Sequence, residues 1–488
     1  MKAMIESELT RVIPDEGETD IVIPEGVTKI TRQGDHGALE LCCTMNSITF
    51  PKSVTHIAHD VFTSPNYTSL SLFGFERLPD RNVVKNYYVA EGNEYYKSVN
   101  GALYAIGGFD GDELVRYPAG RHDEHIVIPE GVGKIGCYAL NGCTYNGVRT
   151  ITFPKSLRTI ADDLGVVAVA NTEFSEFDLG FGKKSLSEVA GIENTLEAFI
   201  VEEGNPRIKA FDGVLFDDCG ETLLRYPTGK KDKVYRVPGG VTRIFRGAFS
   251  QCEYLEEIII PDSVTLIEDG AFERCYHLKS IKLPAGITEI APNTFVGCAN
   301  LETLDIPEGV KEIGCHAFTG CWELKKLHLP ESLTTLGAEC FGYCTAMVYI
   351  PKQIVDIETI RCALGDYEDC AWMQLAGFEV SPDHPTFSTV DGSLFDKDMK
   401  TLFYMKGGAE EFAIPDGVER VTKEAAALCE WCIKKLVIPK SVKVFEDIYR
   451  VDQADMEDIQ YYGEPCFDEE IFKGTSWYNK RHQESCQS

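Results

Sequence analysis

Residues 270–284 read GAFERCYHLKSIKLP, and their recurrence decides the fold. Twenty-three residues later, 293–307 read NTFVGCANLETLDIP, and twenty-three after that, 316–330 read HAFTGCWELKKLHLP. A phenylalanine, a cysteine, three spaced aliphatics and a closing proline hold their places while the residues between them change. Self-similarity at a fixed short period marks a repeat architecture, in which one unit cannot bury its own apolar face and neighbours must stack.

The prolines extend the frame. Pro238, Pro261, Pro284, Pro307 and Pro330 are 23 apart, and further copies centre on Pro24, Pro51, Pro129, Pro154, Pro351, Pro415 and Pro439. In KSIKLP, Ile281 and Leu283 are two residues apart, which is strand periodicity, so Ser280 and Lys282 face the other way. Proline ends each strand because it has no N–H for a ladder. A second apolar pair, such as Val264 and Ile267, turns the chain back under the core. The outward strand positions of four successive copies are Glu257 and Ile259, Ser280 and Lys282, Thr303 and Asp305, Lys326 and His328.

The I-P-x-x-V-x-x-I and A-F-x-x-C-x-x-L elements, as in Ile260-Pro261-Asp262-Ser263-Val264 and Ala271-Phe272 through Cys275 and Leu278, resemble the leucine-rich repeats of the BspA-like family. The resemblance covers most of residues 20–480, and Thr475 in Ile471-Phe472-Lys473-Gly474-Thr475-Ser476-Trp477 stands where the cysteine would be. It implies adhesion or protein–protein interaction, as in surface and secreted proteins of host-associated bacteria. The fold class expected is a repeat solenoid, mainly β, with leucine-rich repeats of about 23 residues and three inserted β-hairpin modules.

The inserted modules share a signature. Asn93, Asn205 and His384 each lie seven residues before Asn100-Gly101, Asp212-Gly213 or Asp391-Gly392. LVRYP, LLRYP and TLFYM follow, ending at Pro118, Pro227 and Met405. Asn-Gly and Asp-Gly favour tight hairpin turns, and the flanks alternate like strands. The expected order is an N-terminal cap (1–20, a partial hairpin module), repeat block 1 (21–80), hairpin module 1 (81–128), block 2 (129–199), hairpin module 2 (200–237), block 3 (238–378), hairpin module 3 (379–414), and final repeats with a C-terminal cap (415–488). Segments 162–199 and 352–379 fit neither motif, and 446–470 form an acidic run.

Acidic residues outnumber basic ones 77 to 47, for a net charge of −30. Nucleic-acid affinity rests on Lys and Arg neutralising phosphates, so that partner class is disfavoured, as are anionic membrane surfaces. A solvated acidic surface or a basic protein partner accommodates the charge. MKAMIESELTRVIPDEG has no apolar leader, and no run is long enough to span a bilayer. As written, the chain is expected to be cytoplasmic; the alternative is cell-surface or secreted by a non-classical route. The 18 cysteines then read as thiols. A lone sequon, Asn66-Tyr67-Thr68, carries little weight.

Catalytic signatures are sparse. There is no Gly-rich phosphate loop and no G-x-S-x-G elbow. His122 and His125 are spaced by three in a hairpin tail, where helical zinc pairs need four and a third ligand. Cys429-Glu-Trp-Cys432 reads as a shortened repeat with one extra cysteine, since Cys432 precedes Pro439 as Cys344 precedes Pro351. Cys252, Cys275, Cys298, Cys321 and Cys344 recur every 23 residues and read as a packing ladder, because free cysteine behaves as a small buried apolar group and parallel Cα–Cβ vectors give a poor disulfide torsion.

The function expected is therefore a non-enzymatic scaffold for protein–protein interaction, adhesion-like, with no cofactor and no metal. Its candidate binding surface is the outward set Glu257, Ile259, Ser280, Lys282, Thr303, Asp305, Lys326 and His328. The alternative is an intracellular acidic inhibitor or adaptor capturing a basic protein; in charge and thiol content the chain resembles a ribonuclease inhibitor, though the repeat differs.

Overall fold

The computed structural model describes residues 8–15, 17–33, 36–39, 42, 45–62, 84–137, 139–140, 143, 147–160, 194–365, 375–425, 433–446, 456–462 and 469–485. The sequon, the C-x-x-C pair, and 162–193 and 366–374 of the two unassigned segments lie outside these residues. The chain divides into two compact units, Met1–Asp232 with Gly247–Tyr254, and Lys233–Arg246 with Leu255–Ser488. Both are built of β-solenoid coils.

A coil of the second unit has three sides. The first is a strand such as Ser280–Lys282, in parallel register with Glu257–Ile259 before it and Thr303–Asp305 after it. The chain then turns at proline, closed by a bond from Val264 N–H to the Pro261 carbonyl (3.0 Å), repeated from Val310 to Pro307 and from Leu333 to Pro330. The second side is a two-residue strand, and Glu289–Ile290, Glu312–Ile313 and Thr335–Leu336 stack in parallel. The third is the Ala-Phe corner, where the N–H groups of Phe272, Phe295 and Phe318 reach the carbonyls of Thr294, Ala317 and Cys340 on the following coil.

This geometry turns the repeat into ladders. Ile258, Ile281 and Leu304 align and are buried. The rings of Phe272, Phe295, Phe318 and Phe341 stack in sequence with centroids 5.5, 5.7 and 6.3 Å apart and planes within 11°. Offset stacks of this spacing add to the burial of the rings themselves.

The first unit repeats the plan. Asp20–Val22, Ser47–Phe50 and Asn86–Val89 form one parallel sheet, and His125–Val127, Thr150–Phe153 and Ala198–Val201 another. Glu8–Leu9 pairs in parallel with Lys29–Ile30.

The inserted modules are larger than the hairpins expected from sequence. Each is a three-stranded antiparallel meander: Tyr96–Val99, Ala102–Gly108 and Gly111–Arg116; Ile208–Phe211, Val214–Asp217 and Thr222–Arg225; Phe387–Val390, Ser393–Asp396 and Thr401–Tyr404. The first reversal is the Asn-Gly or Asp-Gly turn, and both its residues have positive φ each time, the two-residue type I′ geometry. The third strand of the first and third meanders then pairs in parallel with the short strand of the coil that follows, Val132–Ile135 and Arg420–Val421. LVRYP and TLFYM are therefore not side branches but the seam with the solenoid. The register also corrects the third copy by one residue: Tyr404 pairs with Leu394 as Arg116 pairs with Leu103, so Lys406, not Met405, stands at the place of Pro118.

The meanders divide the sheet that the stacking alone would extend. The carbonyls of Gly101, Gly213 and Gly392 accept the N–H groups of Tyr87, Phe199 and Phe378 at 2.7, 2.8 and 2.9 Å. Those three residues lie on the last strands of their sheets, so each turn tip occupies the edge where another coil would have paired. Gly213 sits so close that a Cβ there would lie 2.9 Å from that of Ala198.

Among the described parts of the unassigned segments, Ile357–Leu364 is an α-helix whose N-cap Asp356 accepts from Glu358 N–H at 3.1 Å. Within the acidic run, Asp458–Tyr461 is a strand paired with Lys435–Ile438. Thr475 is buried at the cysteine position, with its hydroxyl donating to the Phe472 carbonyl at 2.8 Å.

Candidate binding surface

The alternation of each long strand places the candidate residues on the face opposite the core. Lys282, Thr303, Asp305, Lys326 and His328 are exposed; Glu257, Ile259 and Ser280 are half-buried. Register joins six of the eight into two rows on one sheet, Glu257–Ser280–Thr303 and Ile259–Lys282–Asp305. Lys326 and His328 belong to a separate three-stranded sheet, in line with Met347 and Gly377 and with Tyr349 and Glu379.

The rows extend beyond the eight candidate residues. Val234 and Arg236 precede Glu257 and Ile259 in the same rows, and Tyr349 stacks on His328 with centroids 4.2 Å apart. All three, with Met347, sit four or two residues before Pro238 or Pro351, the offsets that picked out the original eight. Glu379, which meets Lys326 at 3.6 Å, has no proline at that offset and gave no such signal.

A line of alternating charge borders the rows, five residues before each proline: Lys233, Glu256, Lys279, Glu302 and Lys325. Glu256 bridges Lys233 at 2.8 Å and Lys279 at 2.7 Å. These two hydrogen-bonded ammonium groups, Lys233 first, hold its carboxyl down to about 2. The outward rows of the first unit differ in chemistry. They read Asp20–Ser47–Asn86 with Val22–Thr49–Tyr88, and His125–Thr150–Ala198 with Val127–Thr152–Ile200. Val22, Tyr88, Val127 and Ile200 are exposed there, and the one carboxylate, Asp20, accepts from Ser47 at 2.5 Å.

The cysteines lie on the opposite side of the chemistry. Cys252, Cys275, Cys298, Cys321 and Cys344 are all buried. The thiols of Cys298 and Cys321 donate to the carbonyls of Phe272 and Phe295 on the preceding coil at 3.1 and 3.3 Å. Burial pushes both well above the ordinary thiol range and Cys344 up to about 12. A thiolate is the nucleophile and metal ligand, and these groups stay protonated at neutral pH. His125 Nδ1 faces Thr150 Oγ1 at 2.9 Å, while His122 caps a 3₁₀ turn in the left-handed conformation. Among the described residues, no group of three or more His, Cys, Asp or Glu is arranged to hold a metal ion. Among them also, no helix is long and apolar enough to cross a membrane.

Comparison with known proteins gives the following. A model of the BspA type leucine rich repeat region matches in six copies, over residues 17–78, 122–189 and 233–357, more than half of the chain. Similar solved structures include a leucine-rich repeat protein of Eubacterium ventriosum, 20% identical, covering 69% of this chain and 80% of its own, with a TM-score of 0.43. A leucine rich cell surface protein of Faecalibacterium prausnitzii is 21% identical over 72% of this chain and 91% of its own, TM-score 0.42. The pneumococcal vaccine antigen PcpA is 17% identical over 93% and 92%, TM-score 0.43. No curated protein matches the chain significantly.

Proposed function

This chain belongs to the BspA type leucine rich repeat family, and from that premise we propose that it is a non-enzymatic scaffold that recognises a protein through the outward rows of its long strands. The observation that carries this reading is the contrast between the two faces of one sheet. The inward row Tyr235–Ile258–Ile281–Leu304 is apolar and buried throughout. The outward row in the same strands runs Arg236, Ile259, Lys282, Asp305 and changes chemistry at every coil. Packing demands the first and leaves the second free to encode a partner. An adhesion-like role at the cell surface or in the medium is the setting this reading takes.

The test is comparative capture. Wild-type protein and a Lys282→Glu, Asp305→Lys, Lys326→Glu variant are immobilised and exposed to native lysate and to culture medium. All three positions are exposed, so the fold is expected to survive. A protein retained by wild type and lost by the variant supports the reading; equal retention on both overturns it. The net charge of −30 favours a second reading, capture of a basic protein, and that partner would elute over a steep salt gradient because exposed charges are screened.

A further inference from the structure

Besides its turn glycine, each of the three meanders is tied to the coil before it by one residue at a fixed place in the module. Asn93 donates from Nδ2 to the carbonyls of Pro51 and Val54 at 3.0 and 2.9 Å, and its Oδ1 accepts the N–H groups of Tyr95 and Tyr96 at 2.8 Å. Asn205 repeats this with Pro154 and Leu157 at 2.9 and 3.1 Å, and with Arg207 and Ile208 at 2.9 and 3.1 Å. In the third meander the residue is His384. Its Nε2 faces the Pro351 carbonyl at 3.3 Å, and its Nδ1 accepts from Thr386 and Phe387 N–H at 3.2 and 3.0 Å. The ring is buried and packs on Phe387 with centroids 5.2 Å apart.

An amide and a neutral imidazole can both present one donor side and one acceptor side. Only the imidazole titrates near neutral pH. With Nδ1 accepting two backbone N–H groups, the proton of the neutral ring belongs on Nε2, toward Pro351. A second proton would have to enter at Nδ1, against two donors that have no other acceptor in the clamp. We propose that His384 makes the third meander an acid-loosened latch: from about pH 6.5, the ordinary histidine value, downward, protonation at Nδ1 displaces the Thr386 and Phe387 N–H groups and loosens the start of the meander from the ring, which still donates from Nε2 to Pro351, while the asparagine clamps of the first two meanders hold.

The surroundings bear on the window. Burial lowers the pKa of His384, and Lys397, whose Nζ donates to the Pro382 carbonyl, lowers it further. Glu331 and the carbonyls of Pro351 and Ile354 act the other way. Lys352 and Asp383 stand beside the clamp as an ion pair at 2.6 Å, and Tyr349 hydrogen-bonds Glu331 at 3.1 Å. Because the folded pKa lies below the unfolded one, the clamp is at full strength above about pH 6.5 and weakens as pH falls below it.

Amide hydrogen exchange on the full chain tests this between pH 8 and pH 5, with rates corrected for intrinsic exchange. Protection at Thr386 and Phe387 is expected to fall by up to about tenfold per pH unit below 6.5, while Tyr95, Tyr96, Arg207 and Ile208 keep theirs. A parallel change at all six amides overturns the proposal. His384→Asn should abolish the selective loss; its persistence in that variant also overturns it. Titration of the wild-type ring by NMR needs no variant, and a pKa at or above 6.5, or a neutral ring protonated on Nδ1, would count against the latch.

Discussion

The thiol of Cys298 donates a hydrogen bond to the carbonyl oxygen of Phe272, 3.1 Å away on the preceding coil. The repeated cysteine thus ties one corner of the solenoid to the next. It answers a backbone acceptor while remaining small enough for the corner. Native protein treated with a thiol reagent should therefore react at exposed Cys219, Cys315 and Cys362 and spare Cys252, Cys275, Cys298, Cys321 and Cys344. Mass spectrometry of the labelled peptides reads this directly. Rapid native labelling of the ladder, or its recovery in disulfides, would refute the packing role.

Phe295 lies between Phe272 and Phe318 at 5.5 and 5.7 Å and is fully buried. Phe295→Ala should cost about 3–5 kcal/mol, the range for truncating a buried aromatic. Cys298→Ala, which removes one sulfur and one weak hydrogen bond, should cost about 1 kcal/mol. Denaturant unfolding of the two variants against wild type measures the difference, and a reversed order would show that the ring ladder is not the principal support of these coils.

Gly133 and Gly26 separate two reasons for glycine. A Cβ on Gly133 would run into the carbonyl of Asp110, at the tip of the first meander's second hairpin. One on Gly26 would meet nothing within 4 Å, but φ there is +100°. Gly133→Ala should cost about 3 kcal/mol through overpacking, and Gly26→Ala about 1–2 kcal/mol through backbone strain alone. Equal destabilisation in thermal melts would contradict the close approach of tip and coil.

The clamp residues should be partly interchangeable. Asn205→Ala removes one of the donors to each of the carbonyls of Pro154 and Leu157 and leaves the N–H groups of Arg207 and Ile208 without their acceptor, a loss of about 2 kcal/mol. Asn205→His should recover most of it at pH 8 and lose the gain at pH 5, importing the third meander's behaviour into the second. Unfolding midpoints at the two pH values decide; pH-independent rescue would mean that the imidazole is held differently there.

Much of this was legible in the sequence because the repeat writes its geometry in prolines. Each closing proline fixes which residues point inward, two and four residues ahead of it being outward, and Ile281, Ser280 and Lys282 fall as the spacing requires. What escaped was whatever depends on pairing across the chain. The third strand of each meander, Gly111–Arg116 for instance, is specified by register with Val132–Ile135 rather than by its own pattern. Without register, Met405 rather than Lys406 passed for the partner of Pro118. His384 was visible as the third member of a series with Asn93 and Asn205, but its equivalence to an amide appears only once both ring nitrogens are seen facing backbone groups. Arg236 and Tyr349 obey the same proline rule, two residues before Pro238 and Pro351.

The turn glycines that cover the last strands of three sheets also fix the grammar by which such a chain can change length. Inside a block, a coil added or lost leaves its neighbours the same 23-residue rung to pair with. At Gly101, Gly213 and Gly392 the rung is already taken, and an extra coil inserted there would find no edge. The pairing thus leaves the runs between these stops as the places where a coil can be gained or lost without orphaning a strand. A protein built this way can swap a whole patch of outward residues in one event while the corners, the ring stack and the thiol ladder stay as they were.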